Sequence, residues 1–464
     1  MLFGTKSMKE RVLLFFIVFA LGVFIYIFQS YFNTLYGLAF LIAAMALYAL
    51  FTNIAYKIKT YQMKKYPQIV NENFKPFVTI MIPSHNEESV IAETVETVLQ
   101  LDYEKFEVIV IDDRSTDNTA SVIKDLENKY PNVKAFIRPK DAFPGKSAVL
   151  NDAMAFANGE AILVFDADAR MEKDFLSKLV PYLEPKDVGA VQARKVIRNN
   201  DVNLLTRCQN NEMTMDTHFQ VGRDSVKGAV ELRGNGELIK REALEDINGW
   251  NNYTITDDLD MSTRLHIKGW SIRFCKDAVV YEEGIMYLAP LYRQRRRWIE
   301  GTIRRYLEYA GDVLTSKDMP LRVGLDLVAY ISEFIMPAWL IMELLIRGFK
   351  ILIQDAPSNM LYSSMIIGCM IAFGFFIAAR YSLRRYDNLS RLQALKQAFE
   401  TSIYLFIIWF PLVLFIGFKI LFMKKDMNWG KTAHGLVQHE HAIQRAKQKI
   451  KQAKEELKKL LLNR

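Results

Sequence analysis

Two apolar runs, 12–28 and 35–51, open the chain almost back to back, with only a short polar break at 29–33 between them. Each approaches the ~20 residues that cross a ~30 Å hydrocarbon core. Such a start commits a chain to a membrane unless the first run is a signal peptide. Here a second run follows at once and no small-residue cleavage site stands out, so a retained helical hairpin over 1–56 is expected. Lys6, Lys9 and Arg11 precede the first run, and Lys57, Lys59, Lys64 and Lys65 follow the second. The positive-inside bias then places both flanks in the cytoplasm of a multi-pass protein of the cell membrane.

Residues 57–320 form a polar half, after which apolar segments return at 325–346, 361–379 and 402–423. Asp326, Glu333 and Glu343 interrupt the first of these, so it faces other protein or lies partly in the interface. Topology is harder to fix at the end. The loop 380–396 carries five basic residues and the tail 424–464 carries eleven. Both belong in the cytoplasm, yet a crossing at 402–423 would separate them. A re-entrant or interfacial segment kinked at Pro411 resolves the conflict, with an ordinary fifth span as the alternative. The tail residues Ile443, Ile450 and Leu457 recur on a helical stripe among lysines, which suits an anionic membrane surface; a short coiled coil is the other reading.

Within the polar half, short apolar β-branched runs at 77–83, 106–112, 133–138 and 161–166 alternate with helical stretches at 87–99, 118–129 and 146–157. That rhythm predicts an α/β domain with a Rossmann-type, parallel-centred sheet, inserted between N- and C-terminal membrane helices. Such sheets bind ligands at the carboxyl ends of their strands. Polar and acidic residues gather there: Ser84, Asn86 and Glu87 after the first strand, Asp112 and Asp113 ending the second, Asp166 and Asp168 ending the fourth. No GxGxxG or GxxxxGK[ST] follows a strand, which argues against dehydrogenases and P-loop ATPases. Three cysteines without a CxxC pair exclude a disulfide scaffold, and none of the six histidines has metal-ligand spacing.

Four groups remain. The Asp166-Ala167-Asp168 spacing suits Mg²⁺ or Mn²⁺ shared with a diphosphate, or a simple turn. Lys146, at a helix start, is a phosphate contact or a solvated lysine. Thr256-Asp257-Asp258-Leu259-Asp260 is a helix N-cap rich in dipole-favoured acids, or it supplies a general base. Tyr292-Arg293-Gln294-Arg295-Arg296-Arg297-Trp298 anchors at the interface, or it neutralises a phosphate and offers Trp298 as a flat face to a sugar. Because this basic cluster adjoins the membrane segments, the net charge of +8 gives no support to nucleic-acid binding.

The order of these motifs, from about residue 77 to 301, resembles the family-two inverting glycosyltransferases of the GT-A fold, the group of cellulose, hyaluronan and poly-N-acetylglucosamine synthases. The look of Arg233-Gly234-Asn235-Gly236, of Ile255–Asp260, of Glu282-Glu283-Gly284 and of Arg295–Gly301 is most similar to the β-monoglucosyldiacylglycerol synthases within it. The resemblance implies that Ser84, Glu87 and Asp113 hold the uridine of a UDP-sugar and that Lys146 sits near the nucleotide. It implies that Asp166 binds the nucleotide, Asp168 the metal (Mg²⁺ or Mn²⁺), and that Asp258 is the general base. Here Asp257 stands where the family's triplet has Glu. Gln294, Arg297 and Trp298 would contact the acceptor and the diphosphate, and residues 428–432 look like a tryptophan-containing gating loop. The implied reaction moves a hexose from a UDP-sugar to a membrane acceptor with a β-linkage, UDP-glucose to diacylglycerol first and a processive glycan synthase second. Membrane lipids would be its surroundings.

Overall fold

The computed structural model describes residues 2–31, 35–65, 71, 73–353 and 360–423. The basic tail, with its expected gating loop and amphipathic stripe, lies outside the described residues. Two long helices come first, α1 (Leu2–Tyr31) and α2 (Leu35–Lys65). The polar half then alternates: β1 (Val78–Ser84), α3 (Ile91–Val98), β2 (Phe106–Asp112), α4 (Thr119–Lys129), β3 (Val133–Ile137), α5 (Lys146–Ala153) and β4 (Ala161–Val164). It continues with β5 (Arg170–Met171), α6 (Phe175–Leu179), β6 (Val188–Ile197), α7 (Leu204–Ser225), β7 (Glu237–Lys240), α8 (Arg241–Asp246), α9 (Asp257–Ile267), β8 (Ser271–Glu282) and α10 (Leu288–Thr315). Helices α11 (Leu321–Ile353), α12 (Met360–Tyr386) and α13 (Arg391–Phe422) complete the described chain.

The eight strands make one sheet in the order β3-β2-β1-β4-β7-β6-β8-β5. Its centre is parallel: β1 pairs with β2 from Val78↔Phe106 to Ser84↔Asp112, and with β4 on its other side. Strand β7 runs antiparallel between β4 and β6. All seven residues of β1 are buried, as expected for a parallel strand covered on both faces. Alternate side chains serve different layers. Val78, Ile80 and Ile82 pack with Ile91, Val95 and Val98 of α3, whereas Met81, Ile109 and Ile111 pack with Val149 and Leu150 of α5 and with Met261 and Leu265 of α9. This register sets Ser84 beside Asp112 and aims every parallel strand's carboxyl end at one rim.

Helix α7 carries more polar than apolar residues, yet it is largely buried. Its polar residues are matched by distant partners: Asn211 by Thr401 at 2.9 Å, Glu212 by Arg295 at 2.7 Å, and Asp224 by Lys59 at 2.8 Å and Arg273 at 2.5 Å.

Among the described residues five helices are long and apolar enough to cross a membrane: Met8–Ile27, Tyr36–Gln62, Leu321–Ile353, Ser364–Tyr386 and Arg391–Phe422. Asp326 and Glu343 of α11 face protein. Asp326 accepts hydrogen bonds from Tyr48 (2.6 Å) and from the Ala229 N–H (2.7 Å) and pairs with Arg223, while Glu343 is bound to Arg347 at 2.6 Å. The chain does not break at Pro411: α13 runs through it without interruption. The helical hydrogen bond that proline removes is offset by packing, because Ile408, Phe410, Leu412 and Val413 around it are buried. This helix is nevertheless tied to the catalytic half near both ends. Glu400 meets Arg207 (3.2 Å) and Thr401 meets Asn211 at one end; Lys419 donates to Glu300 (2.5 Å) at the other.

Candidate active site

The carboxyl ends of β1 and β4 open onto a cavity of about 980 Å³. Immediately past β4, Asp166 and Asp168 stand on its wall, separated by the buried Ala167. Lys146 opens α5 after Gly145, whose φ of 112° favours glycine. Its Nζ donates to Asp166 Oδ1 (2.6 Å) and to the Gly234 carbonyl (2.7 Å). Burial works against this ammonium's charge, but Asp166, Asp257 and Glu237 outweigh it and hold its pKa above the usual lysine range. The 233–237 segment is folded to meet it. Asn235 Oδ1 accepts from the Asp166 N–H (3.2 Å) and Glu237 accepts from the Gly234 N–H (3.2 Å).

Asp258 lies in the first turn of α9, where its Oδ1 accepts from the Leu259 N–H at 2.8 Å. Gly234, at φ 77°, lets the loop approach so closely that a Cβ there would stand 3.2 Å from Asp258 Oδ2. Burial, and then the neighbouring Asp257, push the Asp258 carboxyl up to about 6, against the pull of Leu259 N–H, Arg233 and Lys146. A carboxylate so placed is a competent base near neutral pH. Below it, the wholly buried Glu237 is raised to about 8, by burial first and then, against Lys146, by Asp257, Asp258 and Asp166.

Helix α10 closes the opposite side. Gln294, Arg297 and Trp298 reach the cavity wall, while Arg295 turns inward to Glu212 and stacks its guanidinium 4.1 Å from the Trp298 ring. Lys195 lies 6.0 Å from the same ring and pairs with Glu282 at 2.8 Å. Glu283 gives its backbone N–H to Asp168 Oδ2 at 3.2 Å.

Glu87, Lys146, Asp166, Asp168, Asp258, Gln294, Arg297 and Trp298 therefore share one cavity. Ser84 and Asp113, expected at the uridine, are not among its lining residues. The Ser84 hydroxyl is spent on the Ile111 carbonyl at 2.8 Å, and Asp113 is buried between Arg114 (2.9 Å) and Arg138 (2.5 Å). The Asp113 N–H in turn donates to the Ser84 carbonyl at 2.8 Å. Reading the sequence by motif missed Lys195, Glu212 and Glu237. Glu237 directly follows the Arg233–Gly236 stretch, which was a usable signal; Lys195 and Glu212 reach the site only through tertiary contacts.

Residues 76–301 match the glycosyltransferase-like family 2 profile. The chain belongs to that family and is a glycosyltransferase. It is 35% identical over 372 residues to a β-monoglucosyldiacylglycerol synthase of Synechocystis sp., a match that covers 78% of this chain and 75% of the relative. A probable glycosyltransferase YdaM of Bacillus subtilis is 29% identical over 78% of this chain and 88% of its own. In fold, the chain is similar to a mannosyltransferase from Pyrobaculum calidifontis solved with GDP-mannose and Mn²⁺, at a TM-score of 0.55 and 21% identity over 84% of this chain and 99% of that one.

Proposed function

We propose that this glycosyltransferase moves glucose from UDP-glucose to diacylglycerol with inversion, making a β-linked glycolipid on the cytoplasmic face of the membrane. The observation that carries the reading is the single cavity joining the Asp258 carboxylate to residues of four apolar helices. The names of similar glycolipid synthases support it. Asp258 takes the proton of the acceptor hydroxyl as that oxygen attacks the anomeric carbon. Lys146 and Arg297 face the leaving diphosphate, and Trp298 offers its face to the acceptor. Ser84 and Asp113 hold the loops around the nucleotide and leave its direct contacts to Glu87 and Lys146.

The donor set fits a divalent cation. Among the described residues no three His, Cys, Asp or Glu side chains converge on one metal position. Mg²⁺ or Mn²⁺ would therefore take one or two carboxylates, Asp168 first and Asp166 beside it, and complete its shell from phosphate oxygens and water. When bound, the cation neutralises charge developing on the diphosphate.

The test is incubation of the purified full chain with radiolabelled UDP-glucose, divalent cation and diacylglycerol. Label entering the organic phase is the expected result; label retained only in high-molecular-weight material overturns the reading in favour of a glycan synthase.

A further inference from the structure

The cavity continues past the acids. Its far wall is made by Met45 of α2, Met336 and Pro337 of α11, Phe375 of α12, and Leu405 and Phe410 of α13. Each stands well inside a helix that is long and apolar enough to cross a membrane. A chain of contacts leads there from the catalytic wall. Trp298 stacks on Arg295, Arg295 pairs with Glu212, and Glu212 accepts from the Tyr404 hydroxyl (3.3 Å) and from Trp409 Nε1 (3.2 Å). Tyr404 and Trp409 are the chain neighbours of Leu405 and Phe410, and polar wall gives way to apolar wall at that point.

We propose that this apolar end is an acyl-chain site, in which hydrocarbon tails of the acceptor lie among α2, α11, α12 and α13 while the free hydroxyl is held at Asp258. The inference rests on the lipid-acceptor reading above and adds where the tails go and which residues measure them. The lining chemistry selects this occupant. These helices also bring Tyr330, Trp409 and Lys419 to the lining, but Trp409 is engaged by Glu212, Lys419 by Glu300 and the Tyr330 ring by Arg223. Sugar hydroxyls of a growing glycan would therefore find few partners among the Met, Pro, Phe and Leu side chains, and unpaired polar groups are costly when buried. Size agrees, because the whole cavity is at the upper end of the ~300–1,000 Å³ of ordinary small-molecule pockets. Bilayer tails are already as apolar as these side chains, so burial alone gives no preference for the site over the membrane. Selection must come from fit. Met45 and Met336, unbranched and on facing helices, set the width available to a tail.

The experiment compares the full-length wild type with Met336→Trp and Met45→Trp in mixed micelles, using radiolabelled UDP-glucose and either dioleoylglycerol or dihexanoylglycerol. Each variant should lower the ratio of kcat/KM for the long-chain over the short-chain acceptor by about tenfold, the scale on which apolar pockets discriminate. The KM for UDP-glucose should stay put. An unchanged ratio in both variants overturns the site, whether or not overall rates fall. Should either variant fail to fold, a dioleoylglycerol analogue with a diazirine near the tail end gives an independent reading on the wild type. Labelled peptides from α11 and α13 support the site, and labelling confined to α1 or to the catalytic half overturns it. A wild type that transfers to neither diacylglycerol overturns the lipid-acceptor reading itself, which separates the two failures.

Discussion

Replacing Asp258 by Asn keeps the side chain's size and removes the carboxylate that can take a proton. General-base catalysis is worth about 10²–10⁴-fold, or about 3–5 kcal/mol of barrier, so transfer should fall by that factor. Donor binding should hold, because the groups facing the nucleotide (Glu87, Lys146 and the 166–168 pair) keep their contacts. Burial and Asp257 raise this carboxyl to about 6, which fixes two signs. The base is the ionised form, so wild-type kcat/KM should climb with pH, inflect near 6 and then level off, and the residual rate of Asp258→Asn should show no such inflection. For stability, a carboxyl whose pKa is raised on folding costs folding free energy once it ionises above that pKa. The Asn variant escapes this cost, so its Tm at neutral pH should equal or exceed that of the wild type. The assays are label transfer into lipid across a pH series, calorimetric titration with UDP and thermal unfolding. A variant that keeps more than about a tenth of wild-type transfer, well outside the general-base range, refutes the assignment. So does a wild-type profile that is flat between about pH 5 and about pH 7, since the raised pKa demands an inflection there.

Asp168→Asn should weaken the dependence on Mn²⁺ or Mg²⁺, seen as a rise in the metal concentration for half-maximal transfer, while UDP binding measured in chelator is unaltered. Gly301→Ala places a methyl 2.4 Å from Thr256 Cγ2, so overpacking should cost about 1–3 kcal/mol and disturb Asp257 and Asp258 next to it; Thr256→Ala in the same chain should recover part of the Tm. With α13 tied to Arg207 near one end and to Glu300 near the other, the proposed topology keeps both of its ends on the catalytic side. A cysteine placed at 440 should then react with impermeant maleimide only after the membrane is breached from the cytoplasmic face, and labelling in intact cells would contradict this.

Much of the parallel core was legible because both of its signals are local. The 106–112 run matches β2 residue for residue, and 77–83 is β1 displaced by one. Strands β6, β7 and β8 went unread, as did the whole of α7. In Leu204–Ser225 the polar residues outnumber the apolar ones, and many of them are buried because Thr401, Arg295, Lys59 and Arg273 arrive from elsewhere in the chain. No periodicity can announce pairing that spans up to about two hundred positions, since helix patterning reports only burial of an apolar face. The site shows the same division. Asp166, Asp168, Asp258 and the Gln294–Trp298 cluster sit in compact motifs, whereas Glu212 acquires its place only when α7, α10 and α13 meet. Pro411 shows the converse, a strong local signal for a break that tertiary packing overrides.

The ion pairs between the two halves also decide what can be cut away. Arg304 of α10 finds Glu10 of α1 at 2.6 Å, Glu300 finds Lys419 of α13, and Arg223 of α7 meets Asp326 of α11, all of them buried. Stripping one partner from a buried pair costs about 3–5 kcal/mol, and a folded domain has about 5–15 kcal/mol in all. A truncated enzyme bounded at 66 and 320 would take one partner from each of these clusters at once, leaving Arg304 only Glu300 and Arg223 only Glu231. Its helices are thus no detachable anchor, and solubility for this glycosyltransferase is better sought in detergent or nanodiscs, since deletion removes Glu10, Asp326 and Lys419 from buried charge clusters that span the two halves.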